Sequence, residues 1–205
     1  MLSFTQRIRF QKAFFNMIYP ITAYGDPILR SKTKELTDNY PDLKKLVTDM
    51  YDTMYHAHGV GLAAPQISKG LRLFVIDSAP FEEDEEKKKL AVKQAFINPQ
   101  ILEENGDEWA FEEGCLSIPG IREDVIRPAN VIIRYFDEDW NQHEKTFDGM
   151  VARIIQHEYD HIEGVLFTDH LSGFRKRLLK SKLTKISKGD VDADYVMRFY
   201  NSKKL

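Results

Sequence analysis

Cysteine occurs once in the chain, at Cys115, so no internal disulfide can form and a reducing, cytoplasmic setting fits. No apolar run approaches the length needed to cross a bilayer, which leaves no membrane segment to expect. Charge is nearly balanced, with 29 basic and 32 acidic residues, so nothing draws the whole molecule toward nucleic acid or a lipid surface. Internal repeats and low-complexity linkers are also missing. At 205 residues, one domain with its own core is the natural expectation.

The first sixteen residues lack acid altogether and carry Arg7, Arg9 and Lys12 among several phenylalanines. The segment is short and poor in serine for an organelle leader, and it has no apolar core of the signal-peptide kind. Residues 1–16 are therefore read as an extension of uncertain origin, 17–188 as the domain, and 189–205 as a C-terminal tail.

Between these ends the pattern is mixed. Asp42 after Pro41 can cap a helix running to about His58, with Leu43, Leu46, Val47, Met50 and Met54 on one buried face. His56 and His58, two apart, do not share a helix face and are expected at the solvent side. Residues 71–77 read as a buried strand, and 95–98 as a short strand ended by Pro99, with another at 101–103. Residues 109–113 lead into a loop around Cys115. An antiparallel pair is expected between 131–136 and 144–147. The charge run 82–89 reads as a solvated loop. The fold class implied is α+β, with short antiparallel strands packed around a central helix and a further helix near the C-terminus.

That central helix carries the chemistry. In Gln156-His157-Glu158-Tyr159-Asp160-His161 the two histidines are four apart, so their rings project from one helix face and can grip one metal ion. Glu158, beside the first histidine, can reach a water activated by that metal without being a ligand. A third ligand is needed. One pattern of zinc proteases continues with a glycine and a histidine, and Gly164 fits, but Phe167 occupies the ligand position and His170 comes three residues late. Glu163 is too close to His161, and the chain beyond Gly164 has no glutamate. Cys115 remains. A thiolate with two imidazoles leaves one coordination position open, although a lone cysteine read by itself is better taken as a small buried hydrophobe.

Three stretches together carry a resemblance. Gly59-Val60-Gly61-Leu62-Ala63-Ala64-Pro65-Gln66, Glu113-Gly114-Cys115-Leu116-Ser117 and His157-Glu158-Tyr159-Asp160-His161 resemble, in order and spacing, the three signature motifs of peptide deformylases. Met17-Ile18-Tyr19-Pro20-Ile21 resembles the usual start of that family. The resemblance implies a metallohydrolase that removes the N-formyl group from the initiator methionine of nascent polypeptides. It implies Cys115, His157 and His161 as metal ligands, Glu158 as proton carrier, and the Gln66 amide and Leu116 N–H as donors to the developing oxyanion. Gly61 would keep the floor of the site open, and Val60, Met150 and Ile154 would form a pocket for methionine. The metal implied is Fe²⁺, with Zn²⁺ or another divalent ion as a substitute. A zinc endopeptidase and a catalytically silent binding protein are the alternatives.

A separate signal lies at 175–188, where seven basic residues and no acid alternate with Leu178, Leu179, Leu183 and Ile186 at nearly helical spacing, just after Phe174. Such a helix can be a docked element with a basic outer face, or can meet RNA phosphate on the ribosome.

Overall fold

A computed structural model describes residues 17–81, 84–88 and 91–200. The opening segment 1–16, part of the 82–89 charge run and the final residues of the expected tail lie outside these. In chain order, strand β1 (Ile21–Thr22) is followed by helix α1 (Leu43–His56) and strands β2 (Gly61–Ala63) and β3 (Leu73–Asp77). A single helical turn, α2 (Glu85–Lys88), precedes strands β4 (Lys93–Cys115), β5 (Ile118–Phe136) and β6 (Gln142–Asp148). Helices α3 (Gly149–Glu163) and α4 (Gly173–Ser187) and strand β7 (Met197–Arg198) complete the chain.

Five strands form one antiparallel sheet in the order β2-β3-β4-β5-β6, while β1 and β7 make a separate parallel pair. Helix α3 lies on one face of the sheet. Its Ala152, Ile155 and Ile162 recur at helical spacing and pack on Phe74, Phe96, Val131 and Ile133. Full burial of Ile155 and Ile162 contributes roughly 1.5–3 kcal/mol each. Gly164 ends the helix as expected, in the left-handed conformation at φ 78°. A Cβ there would stand 2.8 Å from the Arg30 backbone, so the glycine also permits a close crossing.

The α+β class and the central helix are as the sequence implies, and His56 and His58 are exposed. Several details differ. Asp42 occupies the N-cap position of α1 but has φ 54° and makes no capping bond from its side chain. A capping side chain calls for an extended backbone at that position, which the left-handed conformation does not supply. The strands expected at 95–98 and 101–103, together with the lead into a loop at 109–113, are one strand of 23 residues. Register shifts after Ile97, Ile101 and Asn105 put its alternation out of phase, which is why it reads as separate pieces. Pro99 lies within the first shift, where no ladder N–H is missed. Residues 85–88 of the charge run form a helical turn, not a loop.

Two features mark the C-terminal region. On α4, Leu179, Leu183 and Ile186 are buried, but Phe174 and Leu178 are exposed. The stretch set apart as a tail at 189–205 returns to the domain through residue 200. Met197 and Phe199 pack on the core beneath α4, Tyr195 packs on the core beneath α1, and β7 pairs with β1. Its apolar anchors alternate over too few positions to announce a strand from sequence.

A candidate metal centre at the foot of a cleft

Strand β4 delivers Cys115 at its last residue, and α3 delivers His157 and His161 from adjacent turns, with ring centroids 5.1 Å apart. One donor atom from each of the three side chains lies within 4.8 Å of the others. Cys115 Sγ and His161 Nε2 are 3.2 Å apart. His157 Nδ1 is 2.8 Å from Glu113 Oε2, which leaves its Nε2 for the cluster. A soft thiolate and two imidazoles, drawn this close and with no carboxylate in the group, fit a borderline transition-metal ion with an open coordination position.

The cluster stands at the foot of a cavity of about 690 Å³. Val60, Gly61, Gln66, Cys115, Leu116, Met150, Ile154, His157 and Glu158 all line it, so the structure brings together every residue singled out from the sequence except His161. His161 lies just beneath, 1% exposed.

Glu158 is buried beside the cluster but is not part of it, and its Oε2 has no hydrogen-bond partner among the described residues. Burial pushes its carboxyl up to about 7, against the opposing pull of His157 and His161. A Cβ at Gly61 would overlap the Glu158 Oε1, so only glycine leaves room for the carboxylate there. Burial alone would raise the Cys115 thiol, yet the imidazoles of His161 and His157 outweigh it and bring the thiol down to about 5.

Gln66 is held by its own oxygen. Oε1 accepts the Ala63 N–H at 2.8 Å, which turns Nε2 toward Cys115 Sγ and Ser117 Oγ, each 3.5 Å away. The side chain is therefore oriented as a donor into the site before any ligand arrives.

Behind the histidines lies a buried charged layer that sequence reasoning did not assign. Glu113 accepts Arg127 Nε at 2.7 Å and Arg153 Nη1 at 3.0 Å as well as the His157 ring. Burial would raise its carboxyl, but His157 and Arg127 hold it well below the ordinary carboxylate range. Arg127 also donates to Asp160 at 2.8 Å, and Asp160 meets the His170 ring at 2.8 Å. Arg153 lies over the Trp109 ring, 4.5 Å from its centroid, and donates to the Trp109 carbonyl. Glu113 stood in plain sight within the Glu113-Gly114-Cys115 motif, as an acid next to an apolar strand. Arg127 and Arg153 carried no local signal, because only the long hairpin and α3 bring them to it.

Comparison with known proteins agrees with this geometry. The polypeptide deformylase family model matches residues 18–177. A peptide deformylase of Christiangramia forsetii is 57% identical over 194 residues, covering 92% of this chain and 99% of that one. One from Cytophaga hutchinsonii is 61% identical over 183 residues, covering 89% and 98%. Among solved structures, a peptide deformylase from Legionella pneumophila superposes with a TM-score of 0.73 at 38% identity, over 85% of this chain and 98% of that one. The Thermotoga maritima enzyme gives a TM-score of 0.67 at 38% identity, over 76% and 99%. No helix among the described residues is long and apolar enough to cross a membrane. This chain belongs to the polypeptide deformylase family, enzymes that remove the N-formyl group from newly made polypeptides.

Proposed function

We propose that this chain hydrolyses the N-formyl group of the initiator methionine using Fe²⁺ held by Cys115, His157 and His161, with Glu158 as the proton carrier. One observation carries the reading: three donors within 4.8 Å of each other, beside a buried carboxylate whose Oε2 has no partner among the described residues. When bound, the ion supplies Lewis acidity, making a water nucleophilic near neutral pH and polarising the formyl carbonyl. Glu158 accepts the proton of that water and returns it to the departing amine nitrogen, so the products are formate and a free N-terminus.

As the carbonyl oxygen gains charge, the Gln66 Nε2–H and the Leu116 backbone N–H donate to it. Gly61 keeps the floor clear for the substrate and for Glu158. Val60, Met150 and Ile154 form the apolar wall that takes the methionine side chain. Strand β2 is an edge of the sheet, so the substrate backbone can lie along it as an added strand. The catalytic unit begins at about residue 17 and includes residues 189–200, which pack back onto it, with 1–16 as an extension.

The donor set accommodates Zn²⁺ as well as Fe²⁺, and the family resemblance favours iron. The basic face of α4 docks the enzyme on the ribosome, where the substrate emerges, and the cytoplasm is the site of action. The test is metal analysis of anaerobically purified protein, paired with hydrolysis of formyl-Met and acetyl-Met peptides. Iron with a strong preference for the formyl substrate supports the reading. A metal-free active protein, or comparable rates on both peptides, overturns it.

A further inference from the structure

The turn that carries Leu116 is gripped from outside its own hairpin. Strands β4 and β5 are joined at their ends by Leu116 and Ser117 alone, with Cys115 opposite Ile118. Both carbonyls of this turn accept bonds from distant residues. The Tyr195 hydroxyl donates to Leu116 O at 2.8 Å, and the Tyr24 N–H donates to Ser117 O at 2.9 Å.

The two donors come from one unit. Tyr24 follows β1 and Tyr195 precedes β7, and these strands pair in parallel with Ile21 opposite Met197 and Thr22 opposite Arg198. Ile21 N–H donates to Val196 O and Ala23 N–H to Arg198 O, each at 2.8 Å. Arg198 also lies 3.7 Å from the buried Asp26 carboxylate. The two ends of the described chain are thus fastened together directly over the catalytic turn. Tyr195 itself forms part of the cavity wall, yet it lies beyond the residues that the family model matches.

We propose that Tyr195 is a positioning residue for deformylation: its hydroxyl, carried by the paired chain ends, holds the Leu116 carbonyl and so restricts the Leu116 backbone dihedrals that aim its N–H, in the neighbouring peptide plane, at the formyl oxygen. The inference rests on the reading of Leu116 as an oxyanion donor. Tyr195 acts through the main chain, by its bond to the Leu116 carbonyl. A two-residue turn at the end of long strands can rock, and a donor displaced by a fraction of an ångström stabilises the transition state less while barely changing ground-state binding. Fixing the Leu116 carbonyl limits rotation about the same residue that carries the donor N–H.

The experiment uses the full metal-loaded chain and compares Tyr195→Phe, a main-chain ester replacing the Leu116 N–H, and both together. Kinetics on a formyl-Met peptide are read beside metal content and Tm. Tyr195→Phe should lower kcat about tenfold with KM within about twofold, and with metal content and Tm unchanged. The ester should lower kcat further, and adding Tyr195→Phe to it should cost nothing more, because the group being positioned is already gone. An unchanged kcat in Tyr195→Phe while the ester is slow overturns the role of Tyr195 and leaves the Leu116 reading intact. A fully active ester overturns the Leu116 reading, and the inference with it. Additive losses, or a kcat loss that only tracks metal content or Tm, overturn the inference, since Tyr195 would then act elsewhere or support the fold in general.

Discussion

His157 Nδ1 and Glu113 Oε2 stand 2.8 Å apart, so the strand that supplies one candidate ligand, Cys115, also orients another. The Glu113 carboxylate fixes which imidazole nitrogen faces the cluster and is itself held by Arg127 and Arg153. Glu113→Gln would keep a hydrogen-bond acceptor but remove the carboxylate that faces Arg153 and leave Arg127 with Asp160 alone. Metal affinity should fall about 10–100-fold, read by chelator competition. An affinity equal to that of the parent would show that the Glu113 charge does not govern the His157 ring as a candidate ligand.

Gly61 faces Glu158 with no room for a methyl group. Gly61→Ala should displace the carboxylate and lower kcat by about a hundredfold or more, with metal content preserved. Near-parent turnover, measured on a formyl-Met peptide, would mean that the carboxylate can move aside without loss.

Acid should destabilise the fold through carboxylates outside the centre. Burial would raise the Asp137 carboxyl, but the His143 ring, the Asn141 amide and the backbone N–H groups of Asn141 and Asp139 outweigh it and hold it down to about 2. An unfolded aspartate titrates near about 4. The folded state therefore binds fewer protons than the unfolded one in between. Its stabilisation is present above about pH 4 and is lost as pH falls toward 2. Glu163, which burial would raise, is lowered by Lys32 and Arg72 and acts in the same direction. Melting curves between pH 5 and pH 3 should show a shallower fall for Asp137→Asn than for the parent. Parallel slopes would remove Asp137 from the acid response.

The basic helix can be tested without touching the fold. Arg175 is committed to Glu123 through Nε at 2.8 Å and Lys185 is paired with Asp190, whereas Arg177, Lys180 and Lys188 face a shallow open concavity along α4. Reversing these three to Glu should weaken co-sedimentation with ribosomes and leave hydrolysis of short formyl-Met peptides intact. Ribosome binding that is unchanged and insensitive to salt would reduce this face to solvated surface.

How much of this was legible in the sequence depends on how local the cause is. The α3 helix, its Gly164 stop and the paired histidines follow from spacing and cap chemistry within fifteen residues. Cys115 could be brought to them only by elimination and resemblance, since the contact spans 46 residues. The long β4 strand was hidden by its own bulges, which break the alternation that marks a strand. Arg127, Arg153 and Tyr195 were not legible at all. Each acts through a partner that tertiary folding supplies, and the local sequence holds no pattern that requires it.

The division of labour between ligands and proton carrier is tested most directly by measuring metal content and turnover together in Glu158→Gln and His161→Ala. Glu158→Gln keeps the volume and removes the titrating oxygen, so it should retain the parent's metal content while turnover falls by at least about a thousandfold. His161→Ala should lose both. Loss of metal from a folded Glu158→Gln, or turnover that survives in it, would contradict the assignment of Glu158 as the proton carrier beside a Cys115-His157-His161 centre.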